Sequence, residues 1–139
     1  SLDYVGALAA VHRLTGDQRA VEQMFRRMVF NVVAHNRDDH TKQVSLILQE
    51  DGRWQLAPAY DVTCSEGPGG EHSMSVAGRG HPDLAAVLAV AEATGVAPRR
   101  ADAILEELST TVVEGWPALA PSTRTRRRVA ELLRPLSPR

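Results

Sequence analysis

The apolar positions of this chain change their period twice, from helical to alternating and back to helical. Between Ser1 and Leu14, Leu2, Val5, Leu8, Ala9 and Val11 recur at helical spacing, and Thr15-Gly16 closes the segment. Gly16 suits the left-handed position just past a helix C-terminus. Asp17 then reads as the N-cap of a longer helix reaching about His35. Val21, Met24, Phe25, Met28, Val29, Val32 and Val33 form its inner face, with Arg19, Glu22, Arg26 and Arg27 opposite. Past residue 43 the period becomes two. Val44, Leu46 and Leu48 alternate with Ser45, Ile47 and Gln49, Asp51-Gly52 makes a tight turn, and Trp54 and Leu56 resume the alternation. That pattern predicts a β-hairpin.

Residues 63–80 are rich in glycine and read as a flexible loop, with room for a short strand at Ser73–Val76. Gly67-Pro68-Gly69-Gly70 lacks the Lys-Ser/Thr of a phosphate-binding loop and does not follow a buried strand. Helical spacing returns at Pro82, which suits a first helical position, with Leu84, Val87, Leu88 and Ala91 inside and Gly95 as the stop. A further helix is expected from Pro98 to about Glu114, carrying Ala101, Ile104, Leu105, Leu108 and Val112 and ended by Gly115-Trp116-Pro117. The last runs from Ser122 to Arg134 with Val129, Leu132 and Leu133 inside. No repeat or linker divides the chain, so residues 1–139 are expected to form one domain. The fold class is mainly α with a small β-hairpin.

Composition narrows the function classes. At 139 residues the chain can bury a single core, and 43% apolar with 24% charged residues is ordinary for a globular protein. Two Trp, two Tyr and two Phe favour a core of small aliphatics, with Trp54 and Trp116 read as core or cap residues. A net charge of -1 argues against general polyanion binding. The Arg124–Arg128 run is read as the solvated face of a helix, so direct nucleic-acid contact is not expected. Cys64 has no partner for an internal disulfide, and no secretory segment or long apolar run is visible. The expected location is the cytoplasm, with no membrane association.

The chemistry gathers between His35 and Asp61. Asp38 and Gln43 stand five residues apart, and Asp61 follows Asp38 by 23 residues, beyond the hairpin. A kinase catalytic loop needs an Asp to orient the attacking hydroxyl, an amide five positions on to hold magnesium, and a second Asp beyond a hairpin for magnesium at the phosphates. The hairpin returns the chain so that two acids far apart in sequence can share a site. Two blander readings compete. Asp38-Asp39-His40 can be a solvated turn, although the apolar strand that follows offers a rigid scaffold. His35, Asp38, Asp39 and His40 can be a transition-metal site, but there is no helical His pair and no Cys partner. The oxygen donors of Asp38, Gln43 and Asp61 suit a hard cation shared with a nucleotide better.

The run Asn36-Arg37-Asp38-Asp39-His40-Thr41-Lys42-Gln43, the hairpin, and Leu56-Ala57-Pro58-Ala59-Tyr60-Asp61 resemble the C-terminal lobe of HipA-like serine/threonine kinases, toxins of bacterial toxin–antitoxin pairs. The resemblance implies the helical C-terminal lobe of a protein-kinase-like fold, with ATP and Mg2+ as cofactors. It implies a protein substrate and an antitoxin-like protein partner. Asp38 falls on the catalytic Asp, Asp61 on the magnesium-binding Asp, and Gln43 on the family's magnesium-binding Asn. Gln43 is a departure, because one more methylene shifts the amide oxygen while magnesium demands near-ideal octahedral geometry. Lys42 and His40 match the motif's Lys and His, with supporting roles at the phosphates and in loop hydrogen bonding. Lys42 reads equally well as a solvated surface lysine.

The same resemblance implies a phosphate-covering loop and a strand Lys from an N-terminal lobe. Lys42 is the sole lysine, and Ser1–Asn36 holds nothing of that kind. The expectation is a C-lobe without its ATP-binding partner lobe, a fragment or truncated homologue inactive alone. The competing expectation is a non-catalytic interaction module, a remnant lobe that binds an antitoxin-like partner or a separate N-lobe.

Overall fold

The computed structural model describes residues 3–119 and shows four helices and one two-stranded antiparallel hairpin. The expected Ser122–Arg134 helix and the Arg124–Arg128 run lie outside the described residues. Helix α1 spans Tyr4–Thr15. Its N-cap is Asp3, whose carboxylate accepts from the Val5 amide at 2.7 Å, and it ends on Gly16 at φ 62, where the Gly16 amide donates to the His12 carbonyl. The inner face is Tyr4, Ala7, Leu8 and Val11. Ala9, expected inside, is exposed, because the stripe that meets the core is set by Tyr4 one turn earlier.

Helix α2, Gln18–Val33, starts at the predicted N-cap Asp17 and buries all seven predicted apolar positions. It is the central element, touching α1, the two later helices and the second strand. Each large side chain buried there, such as Phe25 or Met28, contributes roughly 1.5–3 kcal/mol. The helix stops two residues short of expectation: Ala34 is its C-cap and His35 turns left-handed at φ 57, which frees Asn36 and Arg37 to run as extended chain. Arg27 also departs from expectation. It is half-buried, and its guanidinium donates to the Ala57 carbonyl at the end of the hairpin.

Strands β1 (Leu46–Leu48) and β2 (Trp54–Leu56) pair Leu46 with Leu56, Ile47 with Gln55 and Leu48 with Trp54. The Gln49 amide donates to the Arg53 carbonyl, leaving Glu50-Asp51-Gly52 as a three-residue loop with Gly52 left-handed at φ 79. That is the loop class with a bulged glycine, wider than a two-residue turn. The alternation suggests a buried strand after residue 43, and Trp54 reads as a core or cap residue. Instead Ile47, Leu48 and Trp54 are 46%, 54% and 39% exposed. Only the base of the ribbon, Val44 and Leu56, reaches the core, because β2 rests on α1 and α2 and the tip extends beyond them.

Helix α3 is Leu84–Ala93 and α4 is Pro98–Leu119. Pro82 is not the first helical residue; Asp83 caps α3 by accepting from the Ala86 amide at 2.9 Å. Leu84 is correspondingly exposed, and Ala86, Val87, Val90 and Ala91 face inward. Helix α4 buries Ala101, Ile104, Leu108 and Val112 as predicted, yet continues through Gly115-Trp116-Pro117 instead of ending there. Pro98 opens it, where a missing amide costs nothing.

Within the glycine-rich segment 63–80, His72, Met74 and Val76 are buried while about half of the residues stay exposed. The segment holds a short 3-10 turn, Pro68–Gly70, and no strand at Ser73–Val76. Met74 and Val76 are buried in the core, and the Ser75 carbonyl accepts from the Tyr4 amide at 2.9 Å. Apolar side chains at alternate positions mimic a strand, but each is used here to pin a loop.

Candidate functional site

The chain leaves α2 at Ala34 and crosses the molecule as extended backbone to His40, where a 3-10 turn, Thr41–Gln43, leads into β1. All five predicted site residues lie on this segment or at the end of the hairpin. Asp38 is partly exposed, and Asp38 Oδ1 stands 3.9 Å from His40 Nε2. Lys42 and Asp61 are exposed, while Gln43 is half-buried.

The hairpin does what its position predicts. The Gln43 amide nitrogen donates to Asp61 Oδ2, closing 18 residues of chain. Tyr60 secures that closure: its hydroxyl donates to the Lys42 carbonyl and lies 2.6 Å from Ser45 Oγ, joining both ends of the hairpin. Asp61 itself is left-handed at φ 52, a conformation that Asp tolerates better than most side chains. Gln43 and Asp61 are thus brought together, and Asp38 with His40. The two halves are joined through the backbone, where the Gln43 amide donates to the His40 carbonyl at 2.9 Å.

Beneath Asp38 lies a buried polar network. Asp39, only 1% exposed, accepts from the Tyr4 hydroxyl at 2.7 Å, from the Ser73 amide at 2.8 Å and from the Met74 amide at 3.5 Å. His72 Nδ1 lies 2.8 Å from Asp39 Oδ2. An ionised carboxylate only accepts, which places a hydrogen on that nitrogen. Asn31 donates to the Tyr4 hydroxyl, and Asn36 to Asn31, so α1, α2 and segments 36–39 and 72–74 share one network. The sequence offered Asp39 only as part of an acidic turn or a transition-metal set and Tyr60 only within the motif run, and it singled out neither His72 nor Tyr4. No spacing rule links Tyr4 to Asp39 across 35 residues.

Burial raises the Tyr4 phenol well above its ordinary value of 10.0, and the neighbouring Asp39 charge raises it further. The sign follows from linkage. The folded state keeps the proton when the unfolded chain would release it, so this contribution is complete below pH 10 and is lost as pH rises toward the folded value. Urea unfolding measured from pH 9 upward is expected to show stability falling beyond about pH 10, and Tyr4→Phe is expected to remove that part of the slope. An identical slope in the variant would exclude Tyr4 as its source. Arg27 is shifted the other way, below its ordinary value, by burial, with Tyr60 opposing.

Mg2+ usually takes one or two protein oxygens and completes its shell with water and substrate phosphates. Asp61 offers an exposed carboxylate, and Gln43 sets its amide nitrogen against that carboxylate. Among the described residues no group of three or more His, Cys, Asp or Glu is placed to hold a metal, which disfavours a self-contained protein cage and the transition-metal reading of His35, Asp38, Asp39 and His40. Beside Gln43 lies a cavity of about 210 Å³, lined by apolar Met24, Phe30, Val44 and Met74 and also by Tyr4 and Asp39 of the buried network. No helix among the described residues is long and apolar enough to cross a membrane.

A search among curated proteins finds no match. The family of HipA-like C-terminal domains matches residues 1–116, which spans α1 to most of α4 together with the whole site. With its helices, its hairpin and its Asp38–Asp61 segment all inside that match, the chain belongs to the HipA-like C-terminal domain family, a kinase-like lobe.

Proposed function

We propose that this lobe supplies the catalytic and metal-binding half of a serine/threonine protein kinase that transfers the γ-phosphoryl group of ATP to a protein hydroxyl. The observation that carries this reading is the closure of Gln43 onto Asp61. It brings together the two positions at which magnesium is expected.

Asp38, partly exposed on a rigid base, accepts the substrate Ser or Thr hydroxyl and takes its proton as that oxygen attacks phosphorus and ADP leaves. Asp61 and Gln43 hold magnesium, which when bound offsets charge on the ATP phosphates. His40, beside Asp38, steadies the carboxylate, and Lys42, exposed on the following turn, takes a supporting role at the phosphates. A nucleotide-covering lobe completes the site, so residues 1–139 alone are expected to show little catalysis. We place the kinase in the cytoplasm, in a toxin–antitoxin setting with an antitoxin-like protein partner and no direct nucleic-acid contact.

Gln43 favours a second reading, a non-catalytic lobe that binds such a partner. Transfer of labelled γ-phosphate to protein by the longest natural form separates the two. Rates of roughly 1–100 per second are expected with Mg2+, with Asp38→Ala lowering them by about 10²–10⁴-fold. An Asp38→Ala protein as fast as the parent would remove Asp38 from the chemistry. No transfer by the longest form would leave the binding module. Turnover by residues 1–139 alone at about 1 per second or more would show that no second lobe is required.

A further inference from the structure

The segment that bears Asp38 is bonded on both sides to residues 65–75. On the N-terminal side, the Arg37 amide donates to the Ser65 carbonyl at 3.1 Å and the Ser65 amide to the His35 carbonyl at 3.0 Å. The Arg37 carbonyl accepts from both the amide and the hydroxyl of Ser73 at 3.0 Å, and the Arg37 guanidinium donates to the Gly70 carbonyl. On the C-terminal side, the buried Asp39 carboxylate takes the Ser73 amide and His72. Gly67 sits so close to Arg37 that a Cβ there would lie 2.7 Å from the Arg37 Cβ and 2.8 Å from its carbonyl oxygen. Asp38 is the residue between these two anchors, and its own side chain is left half-exposed toward solvent.

We infer that segment 65–75 is a clamp for the catalytic loop, and that Asp39 and His72 are positioning residues that set the orientation of Asp38. The inference rests on the kinase reading for its effect on rate, but the clamp itself is a property of the fold. The Asp39 side chain is buried against His72 and Tyr4, whereas the Asp38 side chain stays half-exposed. A buried imidazole more than 30 residues away in sequence thereby fixes where the outward carboxylate stands. Misplacing a reacting group by about 1 Å costs on the order of 100-fold in rate.

The test uses the longest natural form with His72→Leu, which removes the ring nitrogen, and His72→Gln, which keeps an N–H donor. His72→Leu is expected to lower kcat about 100-fold while KM for ATP stays within about twofold. It should also speed amide hydrogen exchange at Arg37 and Gln43, with the α2 core unchanged. His72→Gln is expected to recover most of both. Wild-type exchange in residues 36–43 of His72→Leu, or a kcat within about threefold of wild type, would overturn the clamp. If the parent protein transfers no phosphate, the kinase reading fails and the exchange result alone decides the clamp. If His72→Leu does not fold, Tyr4→Phe, which removes only the hydroxyl on Asp39, decides by the same measurements.

Discussion

Replacing Asp39 with alanine is expected to cost several kcal/mol of folding stability, because it leaves more than one buried donor without an acceptor at about 1–3 kcal/mol each. The buried carboxylate serves Tyr4, His72 and two backbone amides. Alanine removes the acceptor and leaves those donors in place, and each buried polar group without a partner costs about 1–3 kcal/mol. The neighbouring Asp38, partly exposed and outside the network, is expected to change stability little when truncated. Urea denaturation of both variants at neutral pH measures the difference. A loss below about 1 kcal/mol for Asp39→Ala, the worth of one ordinary hydrogen bond, would mean that water replaces the carboxylate and that the network does not organise this end of the molecule.

Removing the carboxylate of Asp61 is expected to lower magnesium-dependent affinity for ATP by at least about 100-fold, since even groups behind the direct metal ligands are worth 10–100-fold. Two substitutions are needed because Asp61 is left-handed at φ 52. Alanine there adds backbone strain to the lost charge, whereas asparagine tolerates the conformation and loses the charge alone. Both are expected to bind ATP equally weakly with Mg2+ and with EDTA when titrated calorimetrically in the longest natural form. Gln43→Asn, which restores the shorter amide at that position, is expected to strengthen the magnesium dependence. Affinity in Asp61→Asn equal to the parent's would remove Asp61 from the metal site, whatever the result for alanine.

Short-range interactions of this chain are legible in its sequence, and long-range ones are not. Asp17 and Gly16 marked helix ends correctly because caps act over two to four residues, and the inner face of α2 was read position by position from its period. The meeting of Gln43 with Asp61 was also legible, since a hairpin joins its own ends by local pairing. Errors began where a third element intervened. Trp54 reads as a core or cap residue, but nothing covers the ribbon tip among the described residues. Arg27 was assigned to solvent on the pattern of α2 alone, yet the hairpin end lies over it.

From sequence alone came the four described helices, the hairpin and the residues of the phosphoryl-transfer motif, because periodicity, capping and turn chemistry are encoded within a few residues. Only the tertiary structure showed that segment 63–80 buries His72, Met74 and Val76 and that Asp39 is buried while Asp38 stays half-exposed. The physical reason is that burying a carboxylate requires donors from several elements at once. Tyr4, His72 and Ser73 become neighbours of Asp39 only when α1 and the glycine-rich segment are packed against the catalytic loop.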